Sequence, residues 1–167
     1  MKKLLPVLIP IGIFLLLKVT SLGIRLSDTN IYFYTGYQLI QGKILYKDIF
    51  FTNFPLLPYI SAIYYFLVGK NLTWFYFTPA LEAAGVAMLL FLIAKKQFND
   101  ISTALTVSLL YLFSFIVLAT SDHQTGVFLA SLFAISAYYC SFVAKRYFIA
   151  GVFVSLALLT KAYFLPV

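Results

Sequence analysis

The sequence predicts an all-α integral membrane protein with about five transmembrane helices and interfacial helices in a large first outer loop. Three observations carry that expectation. Of the residues, 63% are hydrophobic and 10% are charged, against roughly half and a quarter in soluble domains. The mean hydropathy is +0.98. The basic residues stand in pairs between apolar runs, which is how membrane topology is written. For that last reason the net charge of +7 points to membrane orientation and not to nucleic acid.

A crossing helix needs about 20 mostly apolar residues. Residues 4–24, 76–94, 101–120, 124–143 and 147–166 meet that requirement, within a single membrane domain covering 1–167. The opening run could pass for a signal peptide. It is long enough to span, however, and no small-x-small cleavage site follows it. Ser131, Ser136 and Ser141 dot the 124–143 run, and each can bond to its own helix backbone or to a neighbour. Residues 54–69 form a shorter apolar run with Pro55 and Pro58 near its start. This run is expected to lie along the interface.

The positive-inside rule sets the sides. With the N-terminus in the cytoplasm, Lys2, Lys3, Lys95, Lys96, Lys145 and Arg146 all fall inside. Residues 25–75 then form the large outer loop. Asp28, Asp48 and Asp122, three of only five acids, share the outer face. If 54–69 crossed instead, the later basic pairs would move outside and Asp122 would leave the other two acids. The rule favours the first path, although it leaves Arg25, Lys43, Lys47 and Lys70 outside. The expected location is a bacterial or archaeal cytoplasmic membrane.

The outer loop is expected to carry surface helices at about 29–42 and 54–69. In the first, Phe33, Tyr37 and Ile40 fall on one stripe at helical spacing, and Gly42 is a natural stop. Pro55 suits the first turn of the second.

Several residues are candidates for chemistry. Asp28, in "SDTN", reads either as a helix cap or as a carboxylate held at the membrane surface. Asp48, in "LYKDIFF", reads as a surface ion pair or a second catalytic acid. Asp122, in "TSDHQTG", reads as a cap for the helix that follows or as a functional acid beside His123, the one histidine. Glu82 lies inside an expected span, where an acid is expensive and faces protein or water. Lys161, near the end of the last span, reads as a snorkelling cation or a phosphate contact. Asp100 reads as a helix cap. Cys140 is the single cysteine, so no internal disulfide forms. The sequence has no Gly-rich phosphate loop and no paired cysteines or histidines.

The segment "DTNIYFYTGYQLIQGKILYKD", followed by "NFPLLPYI", resembles the N-terminal half of the GT-C membrane glycosyltransferases. That group includes the protein O-mannosyltransferases and the aminoarabinose transferases of lipid A. The later segments "LVGKN", "LIAKKQFN" and "GVFVSLALLTKAYFLPV" fit the same pattern. The resemblance implies a catalytic carboxylate at Asp28 and a further acid at Asp48. It implies a second-loop acid at Asp122, with His123 beside it, that assists or holds a divalent metal in some members. No other cofactor is implied. The implied partners are membrane lipids, a polyprenyl-phosphate-linked sugar donor, and an acceptor lipid, glycan or protein. Relatives carry Lys-Pro-Pro-Leu where this chain has Asn53, Phe54, Pro55 and Leu56, so Lys43, Lys47 or Lys161 would contact the donor phosphate instead. Relatives also have an arginine near the position of Tyr76. The family has about a dozen spans, so the chain reads as part of a longer protein, inactive on its own. The competing expectation is a transporter, flippase or scaffolding subunit using Glu82 and Lys161 as intramembrane charges.

Overall fold

The computed structural model describes residues 5–23, 27–52 and 54–161. Lys2, Lys3, Arg25, Asn53 and the last residues of the 147–166 run therefore lie outside the described residues. Among the described residues there are eight α-helices and no strand: α1 (Leu5–Ser21), α2 (Asp28–Ile40), α3 (Leu56–Val68), α4 (Leu72–Phe98), α5 (Ile101–Leu112), α6 (Phe115–Thr120), α7 (Val127–Tyr138) and α8 (Tyr147–Thr160). A π-helical turn, Tyr139–Val143, continues α7.

α4 is the axis of the fold and touches α1, α2, α3, α5, α7 and the π-helical turn. Its ends are sharply set. The Asn71 side chain accepts from the Trp74 N–H at 3.2 Å, and Asn99 takes the left-handed conformation at φ 53° that ends a helix. Ala80, Ala83, Ala84, Ala87 and Ala94 are buried along it, and such small side chains let neighbouring helices approach closely. Val7, Ile11 and Phe14 of α1 pack there with Phe91, Ala104 and Leu112. A second apolar cluster, Tyr32, Leu57, Phe75 and Leu129, joins α2, α3, α4 and α7.

The expectation of about five transmembrane helices is overturned. Among the described residues only α4, with 27 residues, is long and apolar enough to cross a membrane, and 61% of its most apolar window is buried inside the protein. The other expected spans yield shorter helices. α1 has 17 residues, about 25 Å at helical rise, against a hydrocarbon core of about 30 Å. The 101–120 run breaks into α5, with 12 residues, and α6, with 6. At the break the Ser114 hydroxyl donates back to the Tyr111 carbonyl at 2.9 Å and caps α6 by accepting from the Val117 N–H at 3.4 Å. A serine that bonds local backbone competes with helix continuation in this way. In the 124–143 run, Gly126 sits at φ 80°, so α7 begins only at Val127. Over 147–160 the described helix has 14 residues. Hydropathy windows sum apolarity without registering these breaks.

The two expected surface helices are found at Asp28–Ile40 and Leu56–Val68. Gly42 and Gly69 follow them at φ 84° and 64°. The buried stripe of α2 is Thr29, Tyr32, Thr35 and Gly36, whereas Tyr37 and Ile40 are exposed. Gly36 accounts for the rotation. A Cβ there would lie 2.7 Å from the Ser61 carbonyl oxygen, so α2 and α3 cross backbone to backbone at that point.

Candidate functional site

The N-terminal half of α4 carries a buried polar network. Thr78 and Glu82, one helical turn apart, share a face, and both are buried. The Gln124 side chain, 1% exposed, donates from Nε2 to Glu82 Oε1 at 2.9 Å and to Thr78 Oγ1 at 3.3 Å. Tyr64 of α3 donates its hydroxyl to the same Glu82 oxygen at 3.0 Å. The Leu129 backbone N–H, in the first turn of α7, also faces the carboxylate. Glu82 Oε2 nevertheless has no hydrogen bond of normal geometry among the described residues. A carboxylate at a helix start is favoured by the partial positive charge there.

Gln124 ties this network to the loop above it. Its own backbone N–H donates to Thr29 Oγ1 at 2.9 Å, and its Oε1 accepts from the Gly126 N–H at 3.3 Å. The loop between α6 and α7 is thereby pinned on the first turn of α2. Asp122, in that loop, is buried and lies 2.8 Å from His123 Nδ1. The loop therefore holds Asp122 and His123 next to the turn that begins with Asp28.

Asp28 itself is exposed. It is the first residue of α2, Ser27 occupies the cap position, and no side-chain cap bond forms at that end. The expected cap role is thus absent among the described residues. Asp28 instead borders a cleft of about 280 Å³ with Ile31, Tyr32, Phe50, Phe51 and Thr52. Tyr32 and Phe51 meet edge to face at 5.8 Å. Asp122 does not cap α7 either, since Gly126 holds that position.

The remaining candidates divide. Asp48 Oδ2 accepts from the Ile44 N–H at 2.9 Å, so its carboxylate closes the tight turn in which Tyr46 takes φ 68°. Lys43 and Lys47 are exposed on the same turn. Lys161 comes close to the acidic loop, because a Cβ on Gly126 would lie 3.4 Å from Lys161 Cε and 2.6 Å from Leu57 Cδ2. Glu82 lies below the surface at 3% exposure and so faces protein, one of the two settings expected of an acid in a span. Asp100 caps α5 as expected, accepting from the Thr103 N–H at 2.7 Å and the Ser102 N–H at 3.2 Å.

Sequence reasoning missed Gln124, Thr29, Thr78, Tyr64 and Lys18. The four-residue spacing of Thr78 and Glu82 was a readable signal. Lys18 was not singled out, yet it is buried at the end of α1 and donates to the Leu118 carbonyl of α6. That places a buried cation on the helix just before Asp122. Asp122 and His123 supply two metal donors, and no group of three His, Cys, Asp or Glu side chains able to hold a metal ion occurs among the described residues. The donor set does not fit the implied divalent metal.

No protein-family model, curated protein or solved structure matches this chain.

Proposed function

We propose that the protein is a membrane-embedded glycosyltransferase that moves a sugar from a polyprenyl-phosphate donor to an acceptor at the outer face of the membrane. The observation that carries this reading is the setting of Asp28: an exposed carboxylate beside an aromatic-lined cleft of about 280 Å³, next to the Asp122–His123 loop that Thr29 holds in place. A mostly apolar cleft with a few convergent polar groups is the usual form of a small-molecule site.

The membrane setting is supported by the outer surface. Leu16 of α1, Leu110 of α5, Phe115 and Ile116 of α6 and Phe148 of α8 are each at least two-thirds exposed, Phe148 by 85%. Large apolar side chains exposed to this degree on four helices suit a partner or a lipid phase. In this reading α4 crosses the bilayer and the shorter helices pack around it. The positive-inside rule then places the C-terminal end of α4, which carries Lys95 and Lys96, in the cytoplasm.

In the proposed reaction, Asp28 accepts the proton of the acceptor hydroxyl as that oxygen bonds the anomeric carbon. The bond from that carbon to the phosphate oxygen breaks, and the lipid phosphate leaves with the electron pair. In this reading Lys161, whose stem lies near Gly126, stabilises the departing charge. Asp28→Asn in the full-length protein, assayed for transfer from a polyprenyl-phosphate sugar, is expected to lower the rate by at least about 100-fold. A rate near wild type would remove Asp28 from the chemistry.

A further inference from the structure

Far from Asp28, three adjoining clefts run from the C-terminal end of α4 to the seam between α7 and α8. The first, of about 520 Å³, is lined by Leu92, Lys95, Lys96, Asn99, Tyr139 and Val143. The second, of about 180 Å³, shares Lys96 and Val143 with it and adds Tyr138 and Phe142. The third, of about 220 Å³, shares Tyr138 and Phe142 and continues over Ala134, Ala137 and Ala157. The path is basic at one end and apolar at the other.

The charge at the basic end is one-sided. Lys95 and Lys96 line it, and Lys145 and Arg146 follow Val143 by two and three residues. The acid near this end, Asp100, has its carboxylate occupied by the Ser102 and Thr103 backbone and the Thr103 hydroxyl. Lys95 also lines the cleft, with its charged Nζ 5.6 Å from the centre of the Phe91 ring, and Lys96 lines both the first and the second cleft. The apolar end is built by shape. Tyr138 and Phe142, with ring centres 4.6 Å apart, form a wall, and the alanines leave the floor open. The π-helical turn Tyr139–Val143 connects the two ends, and such turns are common at functional sites.

We propose that this groove binds one anionic phospholipid, with its phosphate at Lys95 and Lys96 and an acyl chain between α7 and α8. A free phosphate would fill only the basic end and leave the apolar seam uncovered, whereas a lipid matches both. The proposal rests on the membrane setting above and is independent of glycosyl transfer.

The test is native mass spectrometry of the full chain released from detergent with equal amounts of phosphatidylglycerol and phosphatidylcholine. Wild type is expected to retain one phosphatidylglycerol at least five-fold over phosphatidylcholine. Lys95→Gln with Lys96→Gln should abolish that preference, and the paired Arg substitutions should keep it. Ala137→Trp should lower retention of both lipids by filling the seam. Lys70→Gln, at the opposite end of α4, should leave the preference unchanged. Equal retention of the two lipids by wild type, a loss in Lys70→Gln as large as in the Lys95/Lys96 variant, or full displacement by millimolar inorganic phosphate would each overturn the site. Flotation with phosphatidylcholine vesicles separates the two readings. A chain that floats but shows no lipid preference defeats the groove alone, while a chain that floats with no vesicle defeats the membrane setting as well.

Discussion

The two halves of α4 handle polarity in opposite ways. Around Glu82, polar groups are buried and bonded to one another across α2, α3, α4 and the loop before α7. About 20 Å further along the helix, by its rise of about 1.5 Å per residue, Lys95 and Lys96 border an open groove. Inside protein or lipid a polar group must find a partner, so the first region is a set of mutually dependent bonds. At the other end the basic side chains border a groove that solvent or a ligand can enter. The first region should govern stability and loop position, and the second should govern binding with little effect on folding.

The largest expected effect tests that contrast directly. Glu82→Leu leaves the Gln124 amide and the Tyr64 hydroxyl without their shared acceptor, and should destabilise the fold by about 3 kcal/mol. Glu82→Gln retains an acceptor oxygen and should lose clearly less. Thermal unfolding in detergent measures both, and similar losses for the two variants would show that the carboxylate charge, not the bond pattern, is what the network needs.

Gly36→Val should follow at about 2 kcal/mol, because its Cβ would press on the Ser61 backbone and overpacking against backbone forces the helices apart. A neutral result would mean that the α2–α3 crossing can yield enough to relieve the 2.7 Å clash that a Cβ at Gly36 would make.

The smallest effect lies at the basic end. Hydrogen bonds from the Thr103 hydroxyl and then from the Thr103 and Ser102 backbone hold the Asp100 carboxyl below its ordinary value of 3.8. A carboxyl lowered on folding contributes stability that is present above the unfolded pKa and is lost as pH falls through the folded one. Asp100→Asn should therefore flatten a small acid-side decline in the unfolding midpoint below about pH 4 and lower the midpoint slightly at neutral pH, where the charged cap contributes. An acid-side decline that persists unchanged in the variant would contradict the cap.

The candidate site was legible in part. Asp28, Asp122 and Lys161 were readable because charged residues are rare in this chain and stand at the edges of apolar runs. Their grouping is supported by two contacts: Thr29 with the Gln124 backbone, and Gly126 with the Lys161 stem. Asp48 was readable as a charge but not as the closure of its own turn. Gln124 was invisible as a functional residue, because a glutamine beside a glycine reads as an ordinary loop.

By itself, the sequence determined that the chain is helical, where its polar segments interrupt its apolar ones, and stops and caps such as Gly42 and Asp100. These depend on local backbone preference and nearby hydrogen bonds, which a short window contains. Only the tertiary structure decided how long each helix runs, which stripe of α2 is buried, and that Gln124 joins Thr29, Thr78 and Glu82. Hydropathy is summed along the chain, whereas the Thr29–Gln124 bond spans 95 residues and exists only because α2, α4 and α7 pack closely enough to exclude every other partner.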